Sequence, residues 1–162
     1  KGVSGSLPLS AILANHAVLD LYPPGSMTST HSANPVCCAA AIANLEVLDR
    51  KKLVKNAARM GVLLHAELKK IQNEFSAHIG AVHGKGLVAA AQMVKPGSET
   101  PDPDKAFEIV AAAYERGVLM FPPVGFGGAS VKIAPPLTIN RAALLESLEV
   151  LREAMRVVLR AA

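Results

Sequence analysis

The chain has 162 residues, with 17 Lys and Arg against 13 Asp and Glu, a hydrophobic fraction of 51%, only 4% aromatics and no Trp. That profile excludes intrinsic disorder and leaves enough apolar material for a real core, so by length alone one globular domain is expected. No run approaches the roughly 18–20 uncharged apolar residues that a bilayer span requires, which predicts a soluble chain.

The first residue is Lys1, followed by a Gly/Ser turn rather than a charged and then apolar leader, so no signal peptide is expected and the chain reads as a piece of something longer. The short apolar run Leu9 to Leu13 predicts a buried strand. From Asp20 to Ala33 the chain is rich in Pro, Gly, Ser and Thr without periodicity, which predicts a loop. At Asn34-Pro35 an N-cap and a first-turn proline open a helix through Leu48. A second helix, about Lys52 to Phe75, buries the face marked by Leu53, Ala57, Gly61, Leu64, Leu68, Ile71 and Phe75.

After Gly80 the period changes. Ala81-Val82 reads as strand, His83 to Gly86 as a turn in which Gly84 and Gly86 serve backbone geometry, and Leu87 to Met93 as a second strand. A helix with Asp104 as its N-cap region is expected through Glu115, closed by Gly117. Val118 to Phe121 then predicts a strand, Gly125 to Gly128 a flexible loop and Val131 to Ile133 another strand. Asn140 caps the last helix, whose stripe is Leu144, Leu148, Leu151, Met155 and Val158, with Arg152, Arg156 and Arg160 on one face. This order predicts an α/β or α+β architecture.

The basic cluster Arg50, Lys51, Lys52, Lys55 and Arg59 lacks interleaved aromatics and is interrupted by acids, so it reads as a solvated helix face and no nucleic-acid partner is expected. Cys37 and Cys38 are adjacent in an Ala-rich stretch; neither a long disulfide loop nor a metal site is expected, and small buried residues of a cytoplasmic protein fit best. His16, His31, His65, His78 and His83 show no metal-ligand spacing.

Four segments carry a resemblance. Lys1-Gly2-Val3-Ser4-Gly5-Ser6-Leu7-Pro8-Leu9 resembles the Lys-Gly-x-x-Gly-Gly-x-Pro-Leu segment of the class III (subgroup II) aminotransferases, pyridoxal-phosphate enzymes of fold type I. Thr30-His31-Ser32-Ala33-Asn34-Pro35 resembles their Thr-aromatic-Gly-Gly-Asn-Pro motif, His83 to Leu87 their Arg-Gly-x-Gly-Leu turn, and Lys132 to Thr138 their Arg-x-x-Pro-Pro-Leu-Thr strand. Each is weak alone; the four in order are specific.

The resemblance implies the C-terminal portion of such an enzyme, beginning at the lysine that condenses with pyridoxal 5'-phosphate. Residues 1–33 would end the large cofactor-binding domain, 34–50 form an interdomain helix, and 51–162 make an α/β small domain with a short, mainly antiparallel sheet. Lys1 is then the catalytic and cofactor-binding residue. Ser29 and Thr30 would bind the cofactor phosphate, with Thr30 completing the neighbouring site of a homodimer, and the helix beginning at Asn34 is expected to offer its unpaired N–H groups and positive dipole end. Lys132 stands where many members have Arg. A lysine attracts a substrate carboxylate as a point charge but cannot clamp it through two parallel hydrogen bonds. The implied activity is transfer of an amino group from an amino acid or amine to a 2-oxo acid, with racemisation or amino-group migration as alternatives within the family. The rival from another class is a non-catalytic interaction module formed by the α/β unit from about Lys51 to Ala162.

Overall fold

The computed structural model describes residues 2–26 and 28–160. It divides into two compact units, Lys1–Leu53 and Val54–Ala162. The elements in chain order are α1 (His16–Leu19), α2 (Pro35–Arg50), α3 (Leu53–Glu74), β1 (Ile79–Lys85), β2 (Val88–Met93), α4 (Pro103–Glu115), β3 (Ser130–Ile133) and α5 (Arg141–Arg160).

Unit 1 is helix and irregular chain. Among its described residues only Ser4, Ala41 and Leu53 are buried. The strand expected at Leu9 to Leu13 does not form: the segment is irregular, and Ile12 and Leu13 are 81% and 97% exposed. A strand needs a neighbour for its backbone donors and acceptors, and no other strand lies among the described residues of this unit. Helix α2 starts where Asn34 and Pro35 predict, and its Asn34 Oδ1 accepts hydrogen bonds from Val36 N and Cys37 N at 3.0 and 3.3 Å. Cys37 and Cys38 are free and half-buried rather than buried.

Unit 2 is a three-stranded antiparallel sheet, in spatial order β1-β2-β3, that shares one core with α3, α4 and α5. The core face of the sheet is Ala89, Ala91 and Met93 of β2 with Val131 and Ile133 of β3. It meets Leu64, Leu68 and Ile71 of α3, Ala106 and Ile109 of α4, and Leu144, Leu148, Leu151 and Met155 of α5. The helical periods read from the sequence are therefore the buried faces of α3 and α5.

Four local expectations in this unit are corrected. The first hairpin turn is Gly86-Leu87, and β1 continues through His83 to Lys85, which pairs with Val88. Gly86 adopts φ +57°, as a tight turn requires, while a Cβ on Gly84 would lie 2.1 Å from the Val88 carbonyl oxygen. Helix α4 begins two residues early because Pro103 takes the first helical position; its cap is Asp102, whose Oδ1 accepts from Lys105 N at 3.1 Å. Val118 to Phe121 is irregular rather than strand: Pro122 and Pro123 have no N–H to offer a ladder, and pairing resumes only at the Val124–Ser130 bridge. Gly125 to Gly128 is a pinned turn instead of an open loop. Gln92 Nε2 donates to the Phe126 carbonyl at 3.2 Å, and Ser130 Oγ donates to Gln92 Oε1 at 2.7 Å. No helix among the described residues is long and apolar enough to cross a membrane.

Candidate functional site

Lys1 lies outside the described residues. The chain that follows it is held on α2. Asn44 Nδ2 donates to the carbonyls of Gly2 and Val3 at 3.1 and 3.0 Å. Ser4 is buried, with Oγ donating to the Leu7 carbonyl, and Gly5 turns with φ +78° where a Cβ would come within 3.2 Å of Asn44 Oδ1. One amide on an Ala/Leu-rich helix thus fixes the residues next to Lys1. The motif reading missed Asn44, and its only signal was a polar side chain with no capping role in mid-helix.

Ser29 and Thr30 are exposed and lead into a turn closed by Ser32 N donating to the Ser29 carbonyl at 3.0 Å. Neither hydroxyl makes a hydrogen bond among the described residues, so both are available as donors. The N-terminus of α2 is less open than expected. Pro35 has no N–H, the Asn34 side chain already satisfies Val36 and Cys37, and Cys38 N donates to the Asn34 carbonyl at 2.9 Å. What remains for an anion is the positive end of a 16-residue helix dipole together with the two hydroxyls. Exposed hydroxyl donors ahead of a helix N-terminus are compatible with a phosphate, which Ser29 and Thr30 would then hold, with the helix backbone acting through its field. Ala33, next to the cap, is held at φ +52°, a left-handed conformation that costs an L-residue roughly 1–2 kcal/mol.

In unit 2, Lys132 lies on β3 opposite Ala90 of β2 and is half-buried. Its Nζ sits 4.8 Å from the centroid of the Phe121 ring, within cation–π range. The segment carrying Phe121 is anchored at both ends. Val118 N donates to the Ala113 carbonyl at 3.0 Å, and Val124 and Ser130 exchange backbone hydrogen bonds at 3.2 and 2.9 Å. Between these anchors and the sheet opens a cavity of about 340 Å³, with Leu119, Met120 and Phe121 on one side and Lys132, Ile133 and Pro135 on another. Lys132 is the one charged side chain in its lining, and it makes no ion pair among the described residues.

The shifted titratable groups are elsewhere. The Arg156 guanidinium is raised, chiefly by its hydrogen bond to Glu74, and Lys105 is raised chiefly by its hydrogen bond to Glu108. Both serve helix surfaces: Arg156 Nε lies 2.8 Å from Glu74 Oε1, tying α5 to the end of α3.

Of the residues singled out in the sequence, the adjacent Ser29 and Thr30 lie in unit 1, where the chain turns ahead of α2. Lys132 belongs to the unit 2 cavity with Phe121, whose segment Met120 to Val124 reads in the sequence as a strand end that, with Gly125 to Gly128, borders a substrate entrance.

A profile of the class-III aminotransferases matches residues 1–155. The alanine/serine racemase of Pyrococcus horikoshii is 35% identical over 156 residues, 96% of this chain and 32% of the racemase. The 4-aminobutyrate aminotransferase of Mycobacterium leprae is 31% identical over 151 residues, 93% of this chain and 33% of that enzyme. The crystal structure of acetylornithine aminotransferase from Elizabethkingia anophelis superposes with a TM-score of 0.74 at 33% identity, covering 88% of this chain and 35% of that one. The chain thus spans about a third of the length of these relatives and shares the fold of solved aminotransferases. It belongs to the class-III aminotransferase family.

Proposed function

We propose that this chain is part of a pyridoxal-phosphate-dependent aminotransferase that moves an amino group from an amino acid or amine to a 2-oxo acid. The observation that carries the reading is the family match over residues 1–155, which runs through both units and includes Lys1, Thr30 and Lys132. Residues 1–33 are assigned to the end of the cofactor-binding domain, 34–50 to a connecting helix and 51–162 to the small domain; the division of the chain between Leu53 and Val54 supports this.

Bound pyridoxal phosphate would supply the electron sink that makes the proton on the substrate's amino-bearing carbon acidic. The chain's own residues do the rest. Lys1 Nζ would hold the cofactor, and as a free amine it would take that proton and return it. Asn44 keeps the adjoining backbone in register on α2. Thr30 Oγ1 donates to the phosphate of the neighbouring subunit in a homodimer, and Lys132 Nζ attracts the substrate carboxylate.

Because the chain spans about a third of its relatives, the 162-residue piece by itself is expected to be inactive. The test is an amino-donor and 2-oxo-acid assay on the full-length protein beside Lys1→Ala. Product that depends on Lys1 is expected, and undiminished product from Lys1→Ala would contradict the reading. A racemase is the second reading, favoured by the 35% identity to an alanine/serine racemase. Chiral analysis of an L-amino acid incubated without any 2-oxo acid separates the two, since only a racemase yields the D-form.

A further inference from the structure

We propose that Asn56 of α3 is a positioning residue for the unit 2 cavity: its side-chain amide holds the turn that follows β3 and thereby sets how tightly a substrate is held there. The hold on the turn stands on geometry alone. Its consequence for turnover rests on the aminotransferase reading above.

Asparagine is a poor helix former, because its short amide competes for backbone groups, and alanine or leucine would favour the helical state more. The Asn56 amide finds its partners 81 and 83 residues further along the chain. Nδ2 donates to the Leu137 carbonyl at 2.7 Å and to the Ile139 carbonyl at 3.0 Å. On the other side of the amide, Arg59 Nη2 donates to Asn56 Oδ1 at 3.1 Å. Both amide hydrogens and the amide oxygen are thus used, and the orientation is forced. A flipped amide would set its oxygen against two carbonyls and its NH2 against a guanidinium.

The turn so held has little else to fix it. Pro135 and Pro136 have no N–H. Among the described residues, the one other hydrogen bond made by the backbone of residues 135–139 is Ile139 N donating to the Pro136 carbonyl at 2.9 Å, which closes the turn on itself. Asn56 is therefore the hydrogen-bonded tie from this turn to α3. Pro135, Pro136 and Ile139 also line the cavity of about 340 Å³. Releasing the turn lets that wall move, so the cavity samples shapes that grip a substrate less well. The proton step is assigned to Lys1, which is no part of this turn. The loss should accordingly fall on binding rather than on chemistry.

The test joins hydrogen exchange and kinetics on the full-length protein with pyridoxal phosphate, as wild type, Asn56→Asp, Asn56→Ala and Arg59→Met, with circular dichroism as the check of folding. Asn56→Asp keeps the shape and the acceptor for Arg59 but has no hydrogen to donate. Faster exchange is expected at the Ile139 amide in both Asn56 variants, with a smaller rise in Arg59→Met. With L-alanine or 4-aminobutyrate as donor and 2-oxoglutarate as acceptor, KM for the donor should rise about three- to tenfold in the Asn56 variants, the scale of one net hydrogen bond, while kcat stays within about twofold. Arg156→Met, which loosens the α5–α3 contact away from the turn, should leave KM unchanged. Unchanged exchange at Ile139 in folded Asn56→Asp, an unchanged KM, or a loss carried by kcat alone would overturn the proposal. If the Asn56 variants do not fold, Arg59→Met decides by the same readings. A wild type that moves no amino group, while its Asn56 variants exchange faster at Ile139, would sink the aminotransferase reading alone. A wild type that transaminates with a KM indifferent to Asn56→Asp would sink the positioning claim alone.

Discussion

Ala33 stands at a position where the family motif has glycine, and its φ of +52° shows why glycine suits it. Changing it to glycine removes the left-handed penalty but adds freedom to the unfolded chain. The two terms nearly offset, and the steric one is larger, so Ala33→Gly is expected to stabilise by roughly 0.5–1 kcal/mol in urea unfolding. A loss of stability would show that the turn tolerates alanine without strain. The substitution was legible in the sequence, but its conformational consequence was not, because a motif names residue types and not dihedral angles. The same limit applies near Thr30: the amides of Val36 and Cys37 are already capped by Asn34, which no spacing rule reveals. Lys132 was visible as a departure from the family; its aromatic partner Phe121 depends on a contact between β3 and an irregular segment.

At the scale of elements, the amphipathic helices α3 and α5 were readable because their apolar period is local and their caps, such as Asn140, announce the start. Asn140 Oδ1 indeed accepts from Ala143 N at 2.9 Å. Leu9 to Leu13 and Val118 to Phe121 misled because an apolar run becomes a strand only beside another strand, and that partner is not a local property. Two contacts between elements can be ranked by magnitude. Gly61 of α3 packs against the β1–β2 turn so closely that a Cβ would lie 2.5 Å from the Gly86 Cα. Backbone cannot yield cheaply there, so Gly61→Ala is expected to cost about 1–3 kcal/mol in denaturant unfolding. The Arg156–Glu74 pair between α5 and α3 is exposed, so Arg156→Met should cost under about 1 kcal/mol, with the difference shrinking at high salt. The reverse order of the two losses would contradict this ranking. Asn44→Ala removes two hydrogen bonds that fix the chain beside Lys1, and faster amide exchange at Val3 to Leu7 with α2 unchanged is expected. Unaltered exchange would mean that Ser4 alone holds the segment.

At the scale of the molecule, length suggested one domain, whereas the chain forms two units of unequal compactness. Unit 2 carries a shared core of helices and sheet, while unit 1 buries few of its described residues. That contrast is what the proposed assignment of residues 1–33 to the end of a larger domain would produce in a chain spanning about a third of its relatives. Homodimerisation of the full-length protein is expected by sedimentation, and Thr30→Ala should weaken cofactor retention by about tenfold while Thr30→Ser largely restores it, the scale of one charge-assisted hydrogen bond. Equal retention in both variants would remove Thr30 from the phosphate site.

The central claim is that Lys1 is the residue to which the cofactor attaches. It is tested most directly by adding pyridoxal phosphate to the full-length protein, reducing with borohydride and locating the modified peptide by mass spectrometry. The account predicts one pyridoxyl group on Lys1, together with a visible absorption band that Lys1→Ala abolishes. A label on another lysine, or a band that survives in Lys1→Ala, would contradict it.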